Sequence, residues 1–220
     1  MTFSLLVRDP ETGAMGGAAA TGSLCVGGWV LRARWGAGVS ASQGASPSTL
    51  WGEAALDEMS SGSNASQTVA RVTANDRNRD ARQLGVLDMA GRGAVFSGDT
   101  NMPKIGDMVF AEGVACGNLL ASPTVIPALV ETYRTGSGTV AERLLAALFA
   151  GRSAGSDSRG LMSAALLVIG PDHAPLTLRI DHADDPLTAL ADLHERATTG
   201  DYAYWARQVP TVNDPGRGLD

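Results

Sequence analysis

Apolar positions fall into short runs separated by Gly- and Pro-rich breaks, with a few longer stretches at helical spacing. The first run opens at the second residue. Residues 2–8 (TFSLLVR) are rich in strand formers, Asp9-Pro10-Glu11-Thr12-Gly13 reads as a turn, and residues 14–20 follow, small and apolar. This pattern predicts a β-hairpin that begins at Thr2. Residues 29–34 and 38–43 predict two more strands. Ser46-Pro47 reads as a helix start, with Ser as N-cap and Pro at the first helical position. Leu50, Ala54 and Leu56 continue near helical spacing, and Ser60-Ser61-Gly62 ends the run. A second helix is predicted from Asn64 or Ser66 to Ala74.

Further along, residues 83–88 and 94–97 flank Ala90-Gly91-Arg92-Gly93, a hairpin signal. Residues 113–116 read as a short strand, and 124–133 and 139–150 as two helices. Residues 163–169 (SAALLVI) predict a strand buried on both faces, with 177–181 as its partner and 186–198 as the last helix. Hairpin-joined strands separated by helix pairs suit antiparallel sheets with helices outside, not a parallel βαβ fold. A single α+β domain is expected over 1–200, followed by an irregular tail over 201–220. In that tail Tyr202, Tyr204 and Trp205 are expected to dock on this chain or on a partner.

Composition narrows the function classes. The chain has 220 residues, 44% hydrophobic and 18% charged, enough for a sizeable core without staples. Its net charge is −6 and it has no basic stripe with interleaved aromatics, so nucleic acid is not an expected partner. The start MTFSLLVRDPETG lacks the basic region and long apolar region of a signal peptide. No apolar run approaches the ~20 residues of a membrane span, so no membrane partner and a cytoplasmic location are expected. Cys25 and Cys116 have no metal spacing and read as small buried hydrophobes.

Three places carry candidate chemistry. Thr2 is small, and methionine aminopeptidases generally trim Met before such a residue. Trimming would place a free amine and a hydroxyl on one residue, a complete base–nucleophile unit. Cys116-Gly117-Asn118, at a strand end, would present a backbone N–H and a side-chain amide to a developing oxyanion. Gly155-Ser156-Asp157-Ser158-Arg159-Gly160 is a polar loop in which Asp157 and Arg159 would orient a nucleophile or clamp a substrate. His173, His182 and His194 fall late, with no nucleophile-elbow motif. The adjacent acids and histidine of Asp181-His182-Ala183-Asp184-Asp185 would point in different directions, so no metal site is expected.

Several segments together resemble a known family. TFSLLVRDPETGAMGGAAAT at the start, AGVSASQ at 37–43, RQLGVLDMAGRGAVFSG at 82–98, CGNLL at 116–120 and GSDSRGLMSAALLVI at 155–169 look like the bacterial domain-of-unknown-function family numbered 1028. That family is grouped with the N-terminal-nucleophile (Ntn) hydrolases. The resemblance covers about residues 2 to 195. It implies a four-layer αββα sandwich of two antiparallel sheets, with Thr2 at the nucleophile position. Relatives such as proteasome β subunits cleave amide bonds through an N-terminal Thr, Ser or Cys, with a basic residue nearby and an acid in a late loop. Asp157 resembles that late acid. The basic residue is expected near position 22, where this chain has Gly22. Arg8, Arg32 and Arg34 stand as substitutes for it.

The leading expectation is therefore an Ntn-type amidohydrolase acting on a small amide or peptide-like substrate. Thr2 would attack, Asn118 would bind the oxyanion, Asp157 would position the amine or substrate, and Gln43 and Arg159 would bind substrate. No cofactor or metal is expected, and a homodimer is. Two alternatives stand beside it. One is a non-catalytic protein of the same fold that binds a small ligand or a partner protein. The other is an enzyme using Cys25 or another internal nucleophile.

Overall fold

The computed structural model describes residues 2–101, 104–157 and 159–219. Its first hairpin is β1 (Thr2–Arg8) and β2 (Met15–Thr21), closed by a turn in which Asp9 N–H donates to the Ala14 carbonyl and Gly13 N–H to that of Asp9. A short helix α1 (Val26–Trp29) leads to β3 (Leu31–Arg34) and β4 (Gly38–Gly44). Helices α2 (Thr49–Ser60) and α3 (Ala65–Ala74) precede the hairpin β5 (Arg82–Asp88) and β6 (Gly93–Ser97). Strands β7 (Gly106–Phe110) and β8 (Gly113–Asn118) come next, then α4 (Val125–Thr135) and α5 (Val140–Ser153). The chain finishes with β9 (Ser163–Ile169), β10 (Leu176–Ile180), α6 (Pro186–Thr198) and α7 (Gly200–Ala206).

The expected α+β class holds: two antiparallel sheets and, among the described residues, seven α-helices. One sheet has the order β10-β9-β2-β1-β8-β7 and the other β3-β4-β5-β6. Strand β1 is thus central, and its alternation separates two cores. Phe3, Leu5 and Val7 pack with Ile126 and Leu129 of α4, Leu144 and Leu148 of α5, and Leu187 and Leu190 of α6. Leu6, on the opposite face, packs with Met15, Val39, Ala41 and Leu87 between the sheets. A third cluster joins Trp51, Leu56 and Met59 of α2 and Val69 of α3 to Leu84 and Val86 of β5. Each such Leu or Phe contributes about 1.5–3 kcal/mol by leaving water. Small residues in β2 permit the close layers: a Cβ on Gly16 would lie 2.9 Å from Leu144 Cδ1.

Side-chain caps set the start of three helices. Asn64 with Gln67, and Thr139 with Glu142, form capping boxes at α3 and α5, and Asp185 caps α6 ahead of Pro186. The helix expected from Ser46-Pro47 starts later, at Thr49. Ser46 N–H donates to the Ala81 carbonyl and the Ser46 carbonyl accepts from Arg82, which ties that residue to β5 instead. The strand expected over 29–34 begins at Leu31, because Val26–Trp29 coils with its first N–H donated to Ser163 Oγ.

One strand had no expectation attached to it, and one expectation changes. Strand β7 had no clear pattern, since it is an edge strand whose exposure alternates without strong apolar runs. The tail is not irregular throughout, because α7 occupies its start. Tyr202, Tyr204 and Trp205 do not dock on this chain: they are 57%, 61% and 48% exposed. Beyond α7 the tail is anchored by Asn213, whose N–H donates to the Pro171 carbonyl and whose Nδ2 donates to Asp172. No helix among the described residues is long and apolar enough to cross a membrane.

Candidate functional site

Because β1 lies between β2 and β8, its first residue has a neighbour on each side. Thr2 pairs with Thr21 across one ladder and with Asn118 across the other, and Thr21 pairs in turn with Ser163 of β9. Residues opposite one another in a sheet share a face, so four polar side chains form one row. Ser4, two residues on, contacts Gln43 of the other sheet, so the row faces the space between the sheets.

Within the row, Thr2 N–H donates to Asn118 Oδ1 at 2.8 Å, and Thr2 Oγ1 donates to Thr21 Oγ1 at 3.1 Å. Asn118 is fully buried, yet its Nδ2 has no hydrogen-bond partner among the described residues. An unpaired buried donor costs about 1–3 kcal/mol, a cost that a bound acceptor, water or substrate, would offset. Thr2 itself is 8% exposed.

Asp157 lies next to the row, against Gly22, which follows Thr21. Residue 120 bridges to it, and its carboxylate accepts from Gly22 N–H at 2.6 Å, Arg159 N–H at 2.8 Å and Arg159 Nη2 at 3.1 Å. The Asp157 side chain is fully buried while that of Arg159 is 46% exposed, so Arg159 is the cationic group at the surface here. Gly22 is where a basic residue was expected. A Cβ there would lie 2.5 Å from the Gly160 carbonyl and 2.7 Å from Asp157 Oδ2. The Gly160 carbonyl and the Asp157 carboxylate fill that space, so no side chain fits there.

The three substitutes proposed for that basic group are engaged elsewhere. Arg8, at the far end of β1, pairs with Glu112 at 2.9 Å, and Arg32 and Arg34 pair with Glu53 and Asp57 of α2 at 2.8 Å. Ser158, within the loop, lies outside the described residues, as does Met1.

Gln43 is placed otherwise than as a pocket wall. It is buried between the sheets, where Nε2 donates to the Thr2 carbonyl at 3.3 Å and to Gln83 Oε1 at 2.8 Å, and Oε1 accepts from Ser4. Gln83 Nε2 in turn donates to the Gly117 carbonyl at 3.3 Å, beside Asn118. One amide pair therefore holds the backbone on both sides of the row. Gln83 and Thr21 were missed from sequence. The hairpin register from the turn at 9–13 pairs Thr2 with Thr21, and that signal was available. Gln83 offered only a polar position in an apolar strand.

Two residues beside the site occupy the left-handed region: Leu119 at φ 54° and Ser156 at φ 57°. Non-glycine residues there cost roughly 1–2 kcal/mol, and such outliers gather at functional sites. They flank Asn118 and Asp157 directly.

Cys116 offers little nucleophilic chemistry. Burial pushes the Cys116 thiol up to about 12, against a smaller opposing effect of the hydrogen bond it shares with Ser4 Oγ at 3.2 Å. Cys25 sits at φ 62° in the loop after β2, with its N–H donated to the Asp181 carbonyl. No group of three or more His, Cys, Asp or Glu among the described residues is placed to hold a metal ion.

Comparison with known proteins places these features in a family. The model for a family of unknown function, DUF1028, matches residues 2–190. The crystal structure of protein SPO2555 from Silicibacter pomeroyi, from the same family, is 53% identical and superposes with a TM-score of 0.96, covering 100% of this chain and 96% of that one. Anbu, an ancestral beta-subunit from Yersinia bercovieri, is 12% identical with a TM-score of 0.40, covering 92% and 97%. No curated protein matches the sequence. The chain belongs to the DUF1028 family.

Proposed function

We propose that this DUF1028 member is an Ntn-type amidohydrolase, built as a four-layer αββα sandwich that presents residue 2 at a strand end. The observation that carries the reading is the Thr2–Asn118 pair. Asn118 Oδ1 holds the nitrogen of Thr2 while its Nδ2 stays buried with no partner among the described residues.

With Met1 removed, the nitrogen of Thr2 becomes an amine whose lone pair takes the Oγ1 proton. Oγ1 then bonds to the carbonyl carbon of a small amide, and the electron pair of the C=O moves to oxygen. Asn118 Nδ2 donates to that oxyanion. Collapse breaks the C–N bond, and the leaving amine takes the proton from the Thr2 ammonium. Water, deprotonated by the same amine, cleaves the ester and restores Thr2. Asp157, through Gly22 N–H, fixes the loop next to the row, and Gln43 fixes the Thr2 carbonyl.

A non-catalytic binding role is favoured by the burial of Thr2, and by a glycine at position 22 with Arg8, Arg32 and Arg34 paired elsewhere. The test is a panel of small chromogenic amides assayed with protein shown by intact mass to lack Met1. Turnover is expected, with loss of at least the bulk of it in Thr2→Ala. Full activity in that variant removes Thr2 as nucleophile. A native-source mass that includes Met1 favours the binding role.

A further inference from the structure

The turn between β1 and β2 lies at the pole of the strand pair remote from Thr2. There the turn, the first residues of α5, the β9–β10 edge, α6 and α7 enclose a cavity of about 510 Å3. That volume falls within the range of small-molecule sites, about 300–1,000 Å3. Its outer wall includes Ala203 and Arg207, which follow the part of the chain that the family model matches.

The floor is apolar, with Val140, Ala141, Val168 and Ala197 among the lining residues. Most of the charged residues around it are already engaged. Asp9 pairs with Arg143, Asp172 accepts from Asn213, and Arg217 pairs with Asp214. Glu11 and Arg207 are different. Both line the cavity, and neither side chain makes a hydrogen bond or ion pair among the described residues. They are of opposite sign, come from separate segments and do not pair with each other.

We propose that this cavity binds a small zwitterion with an apolar side chain, of amino-acid to dipeptide size. The apolar group lies on the Val and Ala floor, the ammonium meets Glu11 and the carboxylate meets Arg207. A ligand with one charge leaves one of these two groups unmatched. Since both are solvent-exposed, each supplies only a modest preference, about two- to fivefold, and the apolar floor supplies the rest.

His194 lines the same cavity, and burial holds its imidazole below its usual range. Its ring protons are therefore a reporter for an NMR titration. The probes are phenylalanine, the dipeptide Leu-Phe, 3-phenylpropanoate and 2-phenylethylamine. Saturable shifts are expected with the two zwitterions, and weaker binding of each single-charge analogue. Glu11→Gln should erase the preference for phenylalanine over 3-phenylpropanoate. Arg207→Gln should erase its preference over 2-phenylethylamine. Ala197→Trp, checked for folding by circular dichroism, should abolish binding by filling the cavity. Thr2→Ala should leave binding unchanged, which separates this site from the proposed catalytic one. The proposal fails if no probe gives saturable shifts, or if the single-charge analogues bind as tightly as phenylalanine. It also fails if Thr2→Ala abolishes binding, because the probes then occupy the Thr2 site.

Discussion

Asn118 accepts the Thr2 N–H through Oδ1 at 2.8 Å and keeps its Nδ2 buried without a partner among the described residues. The two halves of one amide thus have separate tasks, one holding residue 2 and the other awaiting an acceptor. Asn118→Asp keeps an acceptor for the first, but replaces the second with a carboxylate oxygen that cannot donate and also repels an oxyanion. In Met1-free protein that variant should lower kcat by about 10²–10³ with little change in KM, as loss of one oxyanion donor does. Steady-state kinetics on a chromogenic amide provide the check, and an unchanged kcat would remove the oxyanion role.

Gly22 has no room for a side chain, with the Gly160 carbonyl 2.5 Å from where its Cβ would sit. Gly22→Ala should push Asp157 and Gly160 outward and cost about 1–3 kcal/mol, the usual range for overpacking. Urea unfolding measures the loss. Wild-type stability in Gly22→Ala would show that the loop yields freely.

Much of this site was legible in the chain, but not its connections. The run TFSLLVR and the turn at 9–13 place Thr2 at a strand end, and the hairpin register then brings Thr21 beside it. Local signals suffice there because turn length fixes register. Asn118 and Asp157 stood out as polar residues at strand and loop ends. The role of Gln43 was not legible, because its partners Ser4, Gln83 and the Thr2 carbonyl are brought together only when two sheets stack. The fate of Arg8, Arg32 and Arg34 was hidden for the same reason: each is paired with an acid distant in sequence. The helical turn at Val26–Trp29 depends on Ser163, 137 residues away in sequence, and no local pattern announces it.

Ser156 combines a left-handed backbone at φ 57° with a buried hydroxyl that has no partner among the described residues. Glycine relieves both. Its extra freedom in the unfolded chain offsets about 0.5–1 kcal/mol of the gain, while the backbone relief is roughly 1–2 kcal/mol and the lost orphan hydroxyl adds to it. Ser156→Gly should therefore be more stable than the parent by about 1 kcal/mol in chemical denaturation. A destabilised variant would mean that the hydroxyl has a partner in solution. If the strain serves to hold Asp157 against Gly22 N–H, the same variant should lose hydrolytic rate while gaining stability.

Cys116 and Tyr133 predict how stability responds to alkali. Burial raises the Cys116 thiol from about 9 in the unfolded chain to about 12, and burial likewise raises the Tyr133 phenol from 10 to about 12. Both are neutral acids in the native state. Above pH 9 the unfolded chain releases the thiol proton while the native state keeps it, so the unfolded state binds fewer protons and stability falls with rising pH. The full contribution is present below pH 9 and is lost towards pH 12. While only the thiol differs, the slope is about −1.4 kcal/mol per pH unit. It steepens above pH 10 as the phenol joins. Guanidinium titrations at several pH values from 8 to 11 measure this slope, with Cys116→Ala as the control. That variant should start less stable, because it loses the thiol packed against Ser4, yet fall less steeply between pH 9 and 10. Equal slopes in the two proteins would mean that the Cys116 thiol ionises in the native state near its ordinary value, and that water reaches the inter-sheet layer.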